Sequence, residues 1–332
     1  FIYPGFVVLA SLGFYETTLW FRNRDFGKVW RWVCLGVVVA MVTPTIVWMA
    51  RNNRYIYCYY NIFISDPYLN YDLDFYESSS TLAYEWFIEN ELPKCRNVVT
   101  LSTKISTPVM YAAALGDTYR VKVTQSDYTK YARTDCDYTI LNYQCINTKA
   151  IKDFFPPKGT IHVEYVDDVP VCAVVKRNKL DSRAIQMCER QLYLEALPVL
   201  DSAYNYDTTN FSLWYWIGLA NFEAKNREKG IKFLQKDLGF LPTTVGFTVD
   251  NTYIGIMQYE MQEYEAALNS LKNAESVCDK EELRMLISAY LGLTYYEMKM
   301  YKEALPYLKD ALINYPTYPG LLEKYNYCEA VK

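Results

Sequence analysis

Residues 281–316 read EELRMLISAYLGLTYYEMKMYKEALPYLKDALINYP, and their spacing decides the fold of the C-terminal half. Leu291-Gly292 and Tyr295 recur at helical spacing, and after a short polar break Ala304, Leu308 and Ala311 do the same before Pro316. The pattern repeats upstream. Gly218, Gly255 and Gly292 stand 37 residues apart, as do Gly230, Ala267 and Ala304, and Leu234, Leu271 and Leu308. An earlier unit fits through Ala196, Leu200 and Ala203, 34 residues before Gly230, Leu234 and Asp237. A fixed period of this length marks stacked supersecondary units that bury their apolar faces on one another. Small residues are required where the two helices of a pair cross closely.

The small–large–small order with a closing Pro resembles the tetratricopeptide (TPR) repeat. The second unit gives Trp214, Ile217-Gly218, Gly230, Leu234 and Pro242. The first carries Ala184 in place of the first-helix glycine. The three residues by which the second and third units exceed 34 are expected to lengthen the turns near 240–250 and 277–284. Leu321–Val331 reads as a closing helix that solvates the last apolar face. One regularity is not demanded by packing. Phe222-Glu223, Tyr259-Glu260 and Tyr296-Glu297 precede successive inter-helix turns, with Cys188-Glu189 in the first unit. A carboxylate at a helix C-terminus meets the unfavourable end of the dipole, at about 0.3–1 kcal/mol. The resemblance implies that these places line a concave groove for a protein or peptide partner. Two readings stay open, an aromatic–acidic ligand groove and a duplicated, solvated feature.

Composition narrows the chemistry. A net charge of -4 over 332 residues and the lack of a basic stripe in residues 51–332 speak against nucleic acid as partner. The 33 tyrosines suit helix interfaces in which the hydroxyl reaches water. Nine cysteines include no C-x-x-C pair, leaving buried thiols or disulfides as alternatives. The single histidine, His162, falls in an expected strand and reads as structural. No metal site, cofactor or catalytic residue is expected.

Val33–Ala50 carries no charge, and Trp30, Trp32 and Trp48 flank it, so a membrane helix kinked at Pro44 is expected. Residues 1–21 are a weaker candidate. Arg22, Arg24, Lys28 and Arg31 between the two outnumber Arg51 and Arg54 beyond, which places 22–31 in the cytoplasm and the chain after about residue 57 in the periplasm. The start at Phe1, inside apolar sequence, reads as the end portion of a longer protein.

In the middle, Ser80–Leu92 is amphipathic and stops at Pro93, and Glu89 and Glu91 read as its solvated face. Asn97–Leu101, Tyr119–Val123 and Asp137–Leu141 read as strands, and Val109–Leu115 as a short helix. Thr160–Val166 and Val171–Val175 flank the turn Asp167-Asp168 as a hairpin. The segments Tyr59-Tyr60-Asn61, Asp74-Phe75-Tyr76-Glu77, Ala83-Tyr84-Glu85-Trp86-Phe87, DYTILN at 137–142 and VDDVPVCAVVKR at 166–177 together resemble the end of Bacteroidetes-like bacterial family-39-type membrane glycosyltransferases. These are relatives of protein O-mannosyltransferases and aminoarabinose transferases, of the GT-C class. Asp168 stands where that family has glycine in the hairpin turn, and Ile62–Asp66 lacks its Gly-Gly step. The resemblance implies a polyprenyl-phosphate-linked sugar donor and catalytic acids upstream of this sequence.

The expected architecture is thus membrane helices over residues 1–56, a small α/β domain over 57–177 and an all-α TPR superhelix, an α-solenoid, over 178–332. The expected location is a bacterial inner membrane, with the bilayer and a lipid-linked sugar as partners beside a protein. Two functions are consistent with this: the end of an integral-membrane glycosyltransferase with a partner-binding array, or a non-catalytic, membrane-tethered TPR adaptor.

Overall fold

The computed structural model describes residues 28–58, 78–104, 120–126, 130–142, 154–240, 244–314 and 320–331, with residue 152 and a few positions between 11 and 20. The chain divides into two compact units, residues 1–67 and 68–332. Tyr59–Asn61, Asp74–Glu77, the expected helix at Val109–Leu115, Pro242 and Pro316 lie outside the described residues, as does most of 1–21.

In the first unit, helix α1 runs over Lys28–Arg51 and contains Pro44. Among the described residues no helix is long and apolar enough to cross a membrane. Within α1, Thr43, Pro44 and Thr45 interrupt the apolar run, and Thr43 turns its hydroxyl back to the Val39 carbonyl at 2.6 Å. This overturns the membrane-helix part of the expected architecture. The inner-membrane location, the periplasmic placement of residues after about 57 and the bilayer as partner all depended on it and fall with it.

The second unit begins with α2 (Ser78–Trp86), which continues into a π turn over Phe87–Glu91 and a 3-10 turn over Leu92–Lys94. Five strands come next: β1 (Val99–Thr103), β2 (Val121–Gln125), β3 (Tyr138–Asn142), β4 (Thr160–Val166) and β5 (Val169–Lys176). Their order is β2-β1-β3-β5-β4. β1 pairs in parallel with β2 and β3, and β5 pairs antiparallel with β3 and β4. The β4–β5 turn has positive φ at both Asp167 and Asp168, the twist that suits a two-residue hairpin.

β5 is buried from Val171 to Val175, because the sheet is covered on both faces. Side chains alternate across it. Cys172 and Val174 join Ile140, Leu101, Tyr84 and Phe87 under α2. Ala173 and Val175 join Leu141 and meet Ala184, Ile185 and Leu200 on the other face. Those last three belong to the first helix pair, α3 (Leu180–Glu189) and α4 (Tyr193–Tyr206). One continuous core therefore runs from the sheet into the helices.

Three further pairs complete the array: α5 (Trp214–Glu223) with α6 (Arg227–Leu238), α7 (Thr244–Glu260) with α8 (Tyr264–Val277), and α9 (Glu281–Glu297) with α10 (Tyr301–Asn314). α11 (Leu321–Val331) closes it. Among the described residues, four successive helix pairs and a closing helix thus stack from Leu180 to Val331. The three extra residues per unit do not lengthen the turns as expected. They are absorbed into the first helices, since α7 and α9 have 17 residues where α5 has 10.

Glycine explains how closely each pair crosses. A Cβ on Gly218, Gly255 or Gly292 would lie 2.4, 2.6 or 2.9 Å from an atom of Leu234, Leu271 or Leu308, distances real Cβ atoms do not adopt. Each first helix also ends alike. Gln191, Lys225, Gln262 and Lys299 have φ between 62° and 65°. The amide after each bonds five residues back, as Glu263 to the Gln258 carbonyl at 2.9 Å, and its own amide bonds three back, as Gln262 to Tyr259 at 2.9 Å. This is a Schellman cap repeated in all four units.

Candidate functional site: the inner face of the repeat array

The first helices of successive units touch one another, α3 with α5, α5 with α7, α7 with α9 and α9 with α11. The second helices make fewer contacts among themselves, which puts the first helices on the inner side of the curve. Phe222, Glu223, Tyr259, Glu260, Tyr296 and Glu297 sit at the last turns of α5, α7 and α9.

The three aromatics are half-buried, and each is engaged by the next unit along the chain. Phe222 meets Tyr253 edge-on at 5.3 Å, Tyr259 meets Tyr290 at 5.6 Å, and Tyr296 meets Tyr327 at 5.8 Å. Each partner lies 31 residues further along the sequence. Sequence reasoning missed Tyr253, Tyr290 and Tyr327, although they keep the same 37-residue period as the glycines. Edge-to-face pairs contribute roughly 0.5–1.5 kcal/mol beyond area burial, so the ladder braces neighbouring first helices whatever else it does.

The glutamates divide. Glu260 accepts from Arg227 of the preceding unit, Nε at 2.7 Å and a terminal guanidinium nitrogen at 2.6 Å, with Lys225 Nζ 3.9 Å away. Glu297 accepts from Lys324 of α11 at 2.5 Å, and the same ammonium lies 4.1 Å from the centre of the Tyr296 ring. Glu223 is exposed. Along the inner face the acids of the second unit face solvent, while those of the third and fourth are engaged by cations.

The sheet carries a second polar cluster. Glu91 is buried, not on a solvated face as its helical spacing predicts, while Glu89 is exposed. The π turn inserts one residue into the helical period and swings Glu91 inward. It accepts from Lys94 at 2.9 Å and from the Tyr138 hydroxyl at 2.9 Å. The Lys94 hydrogen bond leads the effects that hold its carboxyl below the usual range, against the opposing effect of burial. Burial pushes the Tyr138 phenol up, and Cys95 and Glu91 push it further. His162 lies in β4. It stacks on Trp86 with ring centres 4.2 Å apart and bonds Glu164 at 2.8 Å.

No protein-family model matches the chain, and no curated protein matches it. Among solved structures, MamA AMB-1 is similar at 18% identity and a TM-score of 0.38, over 45% of this chain and 78% of that one. MamA MSR-1 is similar at 18% and 0.38, over 46% and 83%. The Cut9–Hcn1 hetero-tetramer of APC/C is similar at 16% and 0.38, over 44% and 28%. With TM-scores below 0.5 these likenesses carry no argument about what the chain binds. The repeat assignment stands on the 37-residue register, the glycine crossings and the shared caps.

Proposed function

We propose that residues 178–332 are a protein-interaction scaffold whose inner face holds an extended or helical segment of a partner. The observation that carries this reading is the register. An aromatic followed by a glutamate ends three successive first helices on one side of the array. Helix-pair solenoids present such faces to peptides, and a few anchors dominate their affinity. Phe222, Tyr259 and Tyr296 would be the anchors, and Glu223, Glu260 and Glu297 would select a basic or polar ligand.

The division near residue 177 belongs to the same proposal. The α/β part that the structure describes from Ser78 to Lys176 serves as the N-terminal cap of the array, with Leu141, Ala173 and Val175 supporting the role of a preceding repeat. The reading as the end of a polyprenyl-phosphate-dependent glycosyltransferase has only the resemblance at 59–61, 74–77, 83–87, 137–142 and 166–177 behind it. The helix-pair geometry favours the scaffold.

The test is fluorescence titration with a library of lysine- and arginine-containing peptides against the native chain and the Glu223→Gln variant. Several-fold weaker binding and a flatter salt dependence at unchanged melting temperature support the groove. If the tightest peptides bind a triple Glu223→Gln, Glu260→Gln, Glu297→Gln chain with native Kd, the inner face is not the site.

A further inference from the structure

At two of the four junctions between units, one position is apolar on both sides: Ala203 of α4 with Leu213 before α5, and Ala274 of α8 with Ile287 of α9, all buried. At the last junction the same places hold Ala311 of α10 and Lys324 of α11. At the remaining junction the same two places hold Asp237 of α6 and Asp250 of α7. Each carboxyl feels the other. Asp250 is 1% exposed, and its Oδ1 is buried without a hydrogen-bond partner. Two neighbouring carboxylates, Asp237 half-buried and Asp250 almost wholly so, cannot both ionise cheaply. A proton on one supplies a donor that the other can accept.

We propose that the Asp237–Asp250 pair is a proton-dependent latch between the second and third repeat units. The latch concerns how the array holds together and does not rest on a ligand in the groove. Its surroundings leave it to the pair alone. From α5, the Tyr215 phenol feels Asp250. On α7, Tyr253 responds to Glu223. Lys236, next to Asp237, lies over the Trp214 and Tyr204 rings, 3.9 and 5.5 Å from their centres. Arg133 faces Trp216. Among the described residues neither α8 nor α9 contributes a charge that shifts either carboxyl.

Burial raises both acids, Asp237 to about 6 and Asp250, which also feels the charge on Asp237, to about 8. A carboxyl raised above its unfolded value binds its proton more tightly in the folded state. The stability it contributes is complete below about pH 4, the unfolded value. It is lost as the pH rises through the folded values to about 8. Near neutral pH the pair holds one proton and one charge. On the alkaline side it holds two charges and the junction loosens.

The experiment compares hydrogen exchange of the full chain at pH 6 and pH 9, corrected for the intrinsic pH dependence, in native protein and two variants. Asp237→Ala/Asp250→Leu installs the pair found at the first junction, and Asp250→Asn keeps a hydrogen-bond donor while removing the second charge. In native protein, protection of α6 and α7 is expected to fall about tenfold or more relative to α9 and α10. In both variants the ratio is expected to hold within about twofold. If the double variant does not fold, Asp250→Asn decides alone. A native ratio that does not change, or an Asp250→Asn chain that loses protection as the native chain does, overturns the latch.

Discussion

Gly255 and Leu271 stand so close across the third helix pair that a Cβ on Gly255 would lie 2.6 Å from the Leu271 Cγ and 3.3 Å from the Ala267 carbonyl oxygen. The leucine is fully buried, so it has no free direction in which to yield. Gly255→Ala is therefore expected to destabilise the array by about 1–3 kcal/mol, the usual cost of overpacking. Leu271→Ala alone is expected to cost about 2–5 kcal/mol through the cavity it leaves. In the double variant the added methyl enters the space the leucine vacated, so the two losses should fall short of additive. Urea denaturation of the four chains measures this, and full additivity would mean that the crossing does not set the fit.

The four left-handed caps give a prediction of opposite sign. Gln191, Lys225, Gln262 and Lys299 adopt a conformation that glycine takes without steric cost. Replacing Lys225, Gln262 or Lys299 by Gly is expected to stabilise the chain by roughly 0.5–1 kcal/mol each. The same change at Lys232, inside α6, should destabilise it by about 1 kcal/mol. Thermal unfolding distinguishes the two sets, and equal effects would place the capping assignment in error.

These two features differ in how far the sequence reveals them. A close helix crossing tolerates only small residues, so Gly218, Gly255 and Gly292 declare it by spacing alone. The caps stay hidden because none of the four αL positions is a glycine. The hairpin at Asp167-Asp168 is legible because two short polar residues between apolar runs favour a tight turn. Glu91 misleads because a π turn breaks the period on which a helical face is read. The apolar run before residue 51 misleads because a lack of charge does not by itself make a helix long and apolar enough to cross a membrane. The Asp237–Asp250 pair leaves a visible mark, since Asp237 interrupts the series Ala203, Ala274, Ala311, but that mark has meaning only once the facing helix is placed. The aromatic–glutamate ladder is legible as a register, while its division into paired and exposed acids depends on Arg227 and Lys324, which obey no repeat.

That division predicts unequal effects on stability. Arg227 grips Glu260 through two nitrogens, and these side chains are 18% and 27% exposed. Glu260→Gln is expected to cost about 0.5–1 kcal/mol, at the upper end for a partly exposed pair. Glu223→Gln should change stability by less than about 0.5 kcal/mol. High salt should shrink the Glu260 effect. Chemical denaturation at low and high ionic strength measures both, and equal losses at the two positions would show that the ion pair does not join the units.

Glu91 supplies the last prediction, on the sheet side of the shared core. Its carboxylate receives Lys94 and the Tyr138 hydroxyl, and Lys176 stands 3.7 Å away. A carboxyl held below its unfolded value contributes stability that is present above that value, about pH 4.3, and is lost as the pH falls through the folded one. Native protein is thus expected to lose this contribution only on the acid side, below about pH 4. Glu91→Gln keeps an acceptor for Tyr138 but removes the charge that Lys94 and Lys176 meet. It is expected to destabilise the chain by about 1–3 kcal/mol at pH 7, and the deficit should narrow as the pH falls towards 3. Tyr138→Phe probes the same cluster from the other side. It leaves the charge with its lysines and should cost less, about 0.5–1.5 kcal/mol, with little pH dependence. Denaturant midpoints for the three chains between pH 3 and pH 7 decide the matter. If the Glu91→Gln deficit is constant across that range, the charge on Glu91 contributes nothing and only its shape is used.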